Sequence, residues 1–269
     1  RPLKLAVFGT KYDDFLTVVD LQKKTISIQC HTNAKVLCAK TIGGRFIITG
    51  GSDCVLRVWD MLHNFSIESC SCYHEDEIIA VAGCRSTGLI ASIDRSMNLV
   101  VETLYGQKLI NFVPLEKGNF TPLLEVTKAG LIIVTLKEKL MILDSRGKEI
   151  KNLKFDIATG FCSSFFGLSL FYDLDTRELL LVGLNSGEVL LIDLTSIDVI
   201  GKFTWPENDT SSKSWSACSM KKCKAALFSD GDQIQVLTFD KLISKTFRNR
   251  NSEDIKNVGD MESFCFNYQ

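Results

Sequence analysis

Along most of this chain hydrophobic and polar residues alternate with the period of a β-strand, in short runs separated by turn residues. The pattern is densest between His31 and Cys72. There Phe46-Ile47-Ile48-Thr49 and Val55-Leu56-Arg57-Val58-Trp59-Asp60 flank Gly50-Gly51-Ser52-Asp53. In the second run Val55, Arg57 and Trp59 point one way and Cys54, Leu56 and Val58 the other. The pair is expected to form a tight antiparallel hairpin with the Gly-Gly-Ser-Asp stretch as its turn. A strand over residues 35–40, closed by Gly43-Gly44, precedes the hairpin, and one over 65–70 follows it. Together they predict a four-stranded sheet.

The same pattern recurs. The strands are expected in groups over about 32–72, 74–114, 120–155, 161–203 and 213–247, with turns at Gly88, Tyr105-Gly106-Gln107, Lys128-Ala129-Gly130, Asp144 to Gly147, Asn185-Ser186-Gly187 and Ser229 to Asp232. Residues 1–31 predict three strands and lack a first one. After a polar stretch from Arg248 to Asp260, residues 261–269 alternate again and could supply it. Joining chain ends within one sheet removes exposed edges.

The group around Trp59 resembles a WD repeat, and the resemblance reaches individual residues. WD repeats carry a His before the first strand, a Ser or Thr on the second, an Asp in the hairpin turn and a Trp on the third. Here those places hold His31, Thr49, Asp53 and Trp59, with Asp53 six residues before Trp59. The resemblance implies a buried set in which the indole donates, the carboxylate accepts and the imidazole bridges. In the next repeat His74 and Ser92 hold the first two places, while Ser96 and Glu102 replace the acid and the indole. The implied fold is a single all-β domain over 1–269. It is a WD-repeat β-propeller of four-stranded antiparallel blades, six or seven in number, with N- and C-terminal strands sharing a blade.

A more specific likeness spans about residues 1–205. The runs His74 to Ala82, Gly88-Leu89-Ile90-Ala91-Ser92 and Leu99 to Leu109, with Leu140 to Ile150 further on, resemble the C-terminal propeller of BEACH-domain (beige-like) proteins. This resemblance implies a cytoplasmic scaffold for vesicle traffic or lysosome biology, seated peripherally on endomembranes. It implies a BEACH domain upstream and a chain that is the C-terminal fragment of a longer protein. Other proteins or peptides would bind the loop faces. The rival reading is a WD-repeat subunit of another assembly, such as a ubiquitin-ligase receptor or a coat or nucleoporin-like complex.

Composition narrows the chemistry. A formal net charge of −1 gives no overall attraction to nucleic acid. The ten cysteines fall mostly in apolar, strand-like runs (Cys38, Cys54, Cys70, Cys162, Cys218, Cys265), where a thiol behaves as a small hydrophobe, so a reducing compartment is expected. Alternation sets Cys70, Cys72 and His74 on one strand face. This could be three ligands of a zinc site or a plain strand leading to a loop histidine. Cys72 with His74 could also be read as a nucleophile pair, but residues two apart on a strand rarely orient for proton transfer. The acids Asp13-Asp14 and Asp230 with Asp232 fall in turns, where Asp stabilises backbone geometry. No P-loop or nucleophile-elbow motif occurs, and neither catalysis nor a cofactor is expected. A cluster of Lys221, Lys222 and Lys224 reads as a solvated rim or as a patch for acidic peptide or anionic headgroups, which would give peripheral membrane contact. Trp205 reads as a packed linker residue or an exposed anchor.

Overall fold

In the computed structural model, residues 5–9, 14–20, 23–115, 122–136, 139–154, 165–173, 177–184, 188–204, 216–220, 225–229 and 234–238 are described. Among them every regular element is a strand. Residues 1–136 with 140–152 form one compact unit, and residues 137–139 with 153–269 form a second.

The first unit carries four sheets in chain order. Sheet 1 is β1 (Leu5–Gly9), β2 (Phe15–Asp20) and β3 (Thr25–His31). Sheet 2 is β4 (Val36–Ile42), β5 (Phe46–Gly51), β6 (Leu56–Asp60) and β7 (Ser66–Ser71). Sheet 3 is β8 (Ile78–Cys84), β9 (Leu89–Asp94), β10 (Asn98–Thr103) and β11 (Lys108–Pro114). Sheet 4 is β12 (Leu124–Val126), β13 (Ile132–Leu136), β14 (Lys139–Leu143) and β15 (Glu149–Lys154). Each is an antiparallel meander with its strands paired in sequence order. The second unit carries sheet 5, β16 (Phe165–Asp173) to β19 (Asp198–Thr204) through β17 (Arg177–Leu184) and β18 (Glu188–Asp193), and the three strands of sheet 6, β20 (Ser216–Met220), β21 (Ala225–Ser229) and β22 (Ile234–Thr238). The fourth strand expected for sheet 6 and the closing strand over 261–269 lie outside the described residues.

Core contacts inside the first unit run from each sheet to the next. Leu16 and Val18 of sheet 1 pack with Ile47 and Trp59 of sheet 2. Ile42, Ile48, Leu56 and Val58 of sheet 2 pack with Ile78, Val81 and Ile90 of sheet 3. Ala91, Ile93 and Val101 of sheet 3 pack with Leu124, Ile132 and Val134 of sheet 4. Stacked four-stranded antiparallel sheets of this kind are consistent with the blades of a β-propeller.

The stacking changes how the central hairpin reads. All five residues of β6 and all six of β5 are buried, so the alternation between Leu56 and Trp59 divides two buried faces rather than core from solvent. Gly50 and Gly51 are strand residues, not turn residues. A Cβ on Gly50 would lie 2.5 Å from Ile78 Cγ2 and 2.7 Å from Cys38 Sγ, so glycine there lets sheet 3 approach. The turn falls later, at Ser52 to Val55, and Cys54 leaves the strand with φ of 63°. Cys70, expected inside an apolar run, is exposed on the outer strand β7.

The repeat shows in details finer than strand count. In each of β3, β7, β11 and β19 the register slips by one residue near the start, opposite Val18/Val19, Val58/Trp59, Val101/Glu102 and Leu191/Ile192. A bulge in the outermost strand bends the edge away from pairing with another chain.

Candidate functional site

The four residues expected to brace sheet 2 do not all meet. Thr49 on β5 and Trp59 on β6 are both buried, and Trp59 Nε1–H donates to Thr49 Oγ1 at 2.9 Å. Asp53 instead accepts from Arg57, Nη2 to Oδ2 at 2.6 Å and Nη1 to Oδ1 at 3.2 Å. His31 is exposed; its Nδ1 accepts the Asn33 N–H at 3.0 Å, and its ring meets Phe15 edge-on. The physical reason is competition. A guanidinium on the neighbouring strand offers the turn carboxylate a two-pronged, charge-assisted pair that an imidazole cannot match.

Sheet 3 has Val100 where sheet 2 has Arg57, and there a histidine is held. His74, in the connection from β7 to β8, takes the Ser92 hydroxyl at Nε2 (2.7 Å) and faces Asp94 Oδ2 with Nδ1 (3.1 Å). Asp94 also accepts the Asn98 N–H at 2.8 Å and the Asn98 amide at 3.2 Å. Burial pushes the imidazole below its ordinary range, against the pull of Asp94. A neutral ring with Nδ1–H on the carboxylate fits both bonds. Asp94 was not legible as a partner, because it stands two residues before Ser96, the place the WD pattern assigns to the acid. Ser96 instead donates to Asp76 Oδ2 at 2.8 Å.

Ser92, His74 and Asp94 have the connectivity of a nucleophilic triad. Their surroundings prevent that use in this structure: Ser92 is 1% exposed and Asp94 0%, so no substrate carbonyl can reach the hydroxyl. The same geometry works as a fully satisfied buried brace.

Two more acids complete the set. Glu102, standing where sheet 2 has Trp59, is 1% exposed; its Oε1 accepts from Ser71 Oγ of sheet 2 at 2.9 Å, and its Oε2 has no hydrogen-bond partner. Burial pushes this carboxyl up to about 7. Asp60, the Asp of Trp-Asp, is fully buried and accepts from Arg45 Nη2 at 2.6 Å, from the Leu62 N–H at 2.9 Å and from His63 Nδ1 at 2.6 Å. Arg45 holds it well below the usual carboxylate range. The Asp60 place recurs at the end of the third strand in sheets 3, 4 and 5. The Thr103 hydroxyl accepts the Gln107 N–H, Asp144 accepts the Arg146 and Lys148 N–H groups, and Asp193 accepts the Thr195 N–H. This repeated cap fixes the turn into each outer strand, and the Asp at 60, 144 and 193 was its signal in the sequence.

Among the described residues no group of His, Cys, Asp and Glu is placed to hold a metal ion. Strand β7 ends at Ser71, so Cys72 and His74 do not continue its face. Cys72 is exposed, while both nitrogens of the buried His74 are engaged. Lys221, Lys222, Lys224 and Trp205 lie outside the described residues.

The fold and these braces define an all-β protein built of repeated, stacked, four-stranded antiparallel sheets. Neither a family model nor a curated protein sequence matches the chain. Solved structures similar to it include the crystal structure of the computationally designed Ika8 protein, at 15% identity and a TM-score of 0.63, covering 91% of this chain and 70% of that one. At that identity the likeness shows the fold alone. Among the described residues no helix is long and apolar enough to cross a membrane.

Proposed function

We propose that this chain is a non-catalytic interaction scaffold. In this reading it is a WD-repeat propeller of six or seven blades, its first blade completed by the C-terminal strand, and it serves as the C-terminal domain of a BEACH-type protein in vesicle traffic. One observation carries the reading: among the described residues the set with the connectivity of a nucleophilic triad, Ser92, His74 and Asp94, is buried and engaged with itself. What the molecule offers a partner is therefore its turns and outer strands, held rigid by the capped repeats. The resemblance of residues 74–109 and 140–150 to BEACH-protein propellers supplies the cellular setting.

The test has two arms. The coding sequence upstream of Arg1 should encode a BEACH domain; a different domain there favours the rival, a subunit of another assembly. Proximity labelling from the full-length protein should mark endomembrane traffic components. A turnover of any substrate that survives Ser92→Ala and His74→Ala while saturating with substrate would overturn the non-catalytic reading by locating an active centre elsewhere.

A further inference from the structure

On one end of the sheets in the first unit, the seam between sheets 2 and 3 and the seam between sheets 3 and 4 are built on the same plan but finished differently. Ser69 of β7 lies across from Val58, and Ile110 of β11 across from Val101, the residues just before Trp59 and Glu102. The turn Thr103 to Gln107 and the turn Asp144 to Lys148 share their backbone bonds, with Gly106 N–H to Thr103 C=O matched by Gly147 N–H to Asp144 C=O. Ser69 and Ile110 thus correspond, as do Leu104 and Ser145, and Tyr105 and Arg146.

At the first seam the plan closes. Ser69 Oγ donates to the Leu104 carbonyl at 3.0 Å, Tyr73 Oη donates to the Gly106 carbonyl at 2.9 Å, and Leu104 is buried. At the second seam an isoleucine replaces the closing serine and a small serine replaces the buried leucine. A groove of about 880 Å³ opens there, lined by Leu89, Leu109, Ile110 and Ala129 on its apolar side, with Thr87, Ser145 and Arg146 at its polar margin. Leu109 is 46% exposed. Arg146 lines the groove and Lys148 stands on the same turn, whereas Arg85 of the neighbouring turn points away, to the Gly43 carbonyl of sheet 2 at 3.4 Å. The acid in those turns, Asp144, already accepts two backbone N–H groups through Oδ1.

We propose that this groove binds a short extended peptide segment carrying an aliphatic side chain next to an acidic one. The aliphatic group would lie against Leu109 and Ile110 and the carboxylate on Arg146. The groove is open along its length, so an extended segment can lie in it, and the exposed Arg146 guanidinium at its margin favours an anion beside the apolar wall. The inference rests on the scaffold reading and names the chemistry of its partner.

The test is selection of a displayed random octapeptide library on the full chain, followed by fluorescence polarisation with the enriched peptides. Enriched peptides should pair Leu, Ile or Val with Asp or Glu. Arg146→Glu, on an exposed turn, should weaken them at least tenfold with an unchanged melting temperature. The double change Ile110→Ser with Ser145→Leu, which copies the closed seam, should abolish binding. Enriched peptides indifferent to both variants overturn the groove and leave the scaffold reading standing. Failure to enrich such peptides overturns the groove proposal. So does Arg146-dependent capture of phosphatidylserine vesicles when no peptide binds, an outcome that points to a membrane surface.

Discussion

Glu102 offers the sharpest check on the structure. Its carboxyl is buried between sheets with one oxygen on Ser71 and the other without a partner, and burial lifts it from 4.5 to about 7. A group whose folded value lies above its unfolded value holds more protons when folded between the two. Its contribution to stability is therefore complete below about pH 4.5 and is lost as pH rises towards 7. At roughly 1.4 kcal/mol per pH unit the loss comes to about 3 kcal/mol. Glu102→Gln keeps the shape and the Ser71 bond while abolishing the titration. Its own stability is offset by an amide that brings a buried N–H of its own, at a cost of about 1–3 kcal/mol. The pH dependence, not the absolute difference, is the readout. The stability of Glu102→Gln relative to the parent should rise by about 3 kcal/mol between pH 4.5 and 8.

Urea midpoints at half-unit steps of pH measure this, provided the slope with denaturant stays constant. His74 contributes an opposite trend: its folded value lies below 6.5, so its share of stability is lost as pH falls below 6.5. That term is common to both proteins and drops out of their difference. A carbon-detected titration of the Glu102 carboxyl reads the same quantity directly. A carboxyl titrating below about 5, or a stability difference flat in pH, would refute the placement of this side chain between the sheets.

Three further substitutions test other contacts. Thr49→Val removes the acceptor of the buried Trp59 N–H and should cost about 1–3 kcal/mol by chemical denaturation, more than the same change at an exposed threonine such as Thr41. Gly50→Ala puts a methyl 2.5 Å from Ile78 Cγ2, and is expected to lose about 1–3 kcal/mol by chemical denaturation, a cost that should shrink in an Ile78→Ala background, which deletes that Cγ2. Cys54→Gly relieves a left-handed residue at φ of 63° and should raise stability by about 1 kcal/mol, read as a higher melting temperature; a drop would mean the thiol packs usefully in the turn.

The strands were legible because their signal is local. Phe15–Asp20 and Thr25–His31 occur where alternation sets them, and most other ends differ by one or two residues. The hairpin turn was misplaced because Gly50-Gly51 carries the composition of a turn, while Gly50 sits in the strand and admits Ile78 from another sheet. No pattern inside the hairpin reports that neighbour. Cys70 lies in a strand-like run as expected and is nevertheless exposed, because alternation says which face a residue shares, not whether another sheet covers that face.

The braces were harder to read than the turns, and the difference has a physical basis. The caps at Asp60, Thr103, Asp144 and Asp193 join a side chain to a backbone N–H a few residues on, so nothing elsewhere in the chain can displace them. A brace such as His74 with Ser92 and Asp94 joins residues about twenty positions apart, and its members can be outbid by any stronger partner that folding brings close. Arg57 does this to Asp53, and its absence from the matching place in sheet 3, where Val100 stands, leaves the imidazole to an aspartate. Moving that one charge should move the brace. Val100→Arg would set a buried guanidinium near Asp94 and Ser96, while Arg57→Val would release the Asp53 carboxylate from its pair. The positions of a repeat are thus fixed by backbone geometry, while the chemistry at each position is settled by which charges sit within reach.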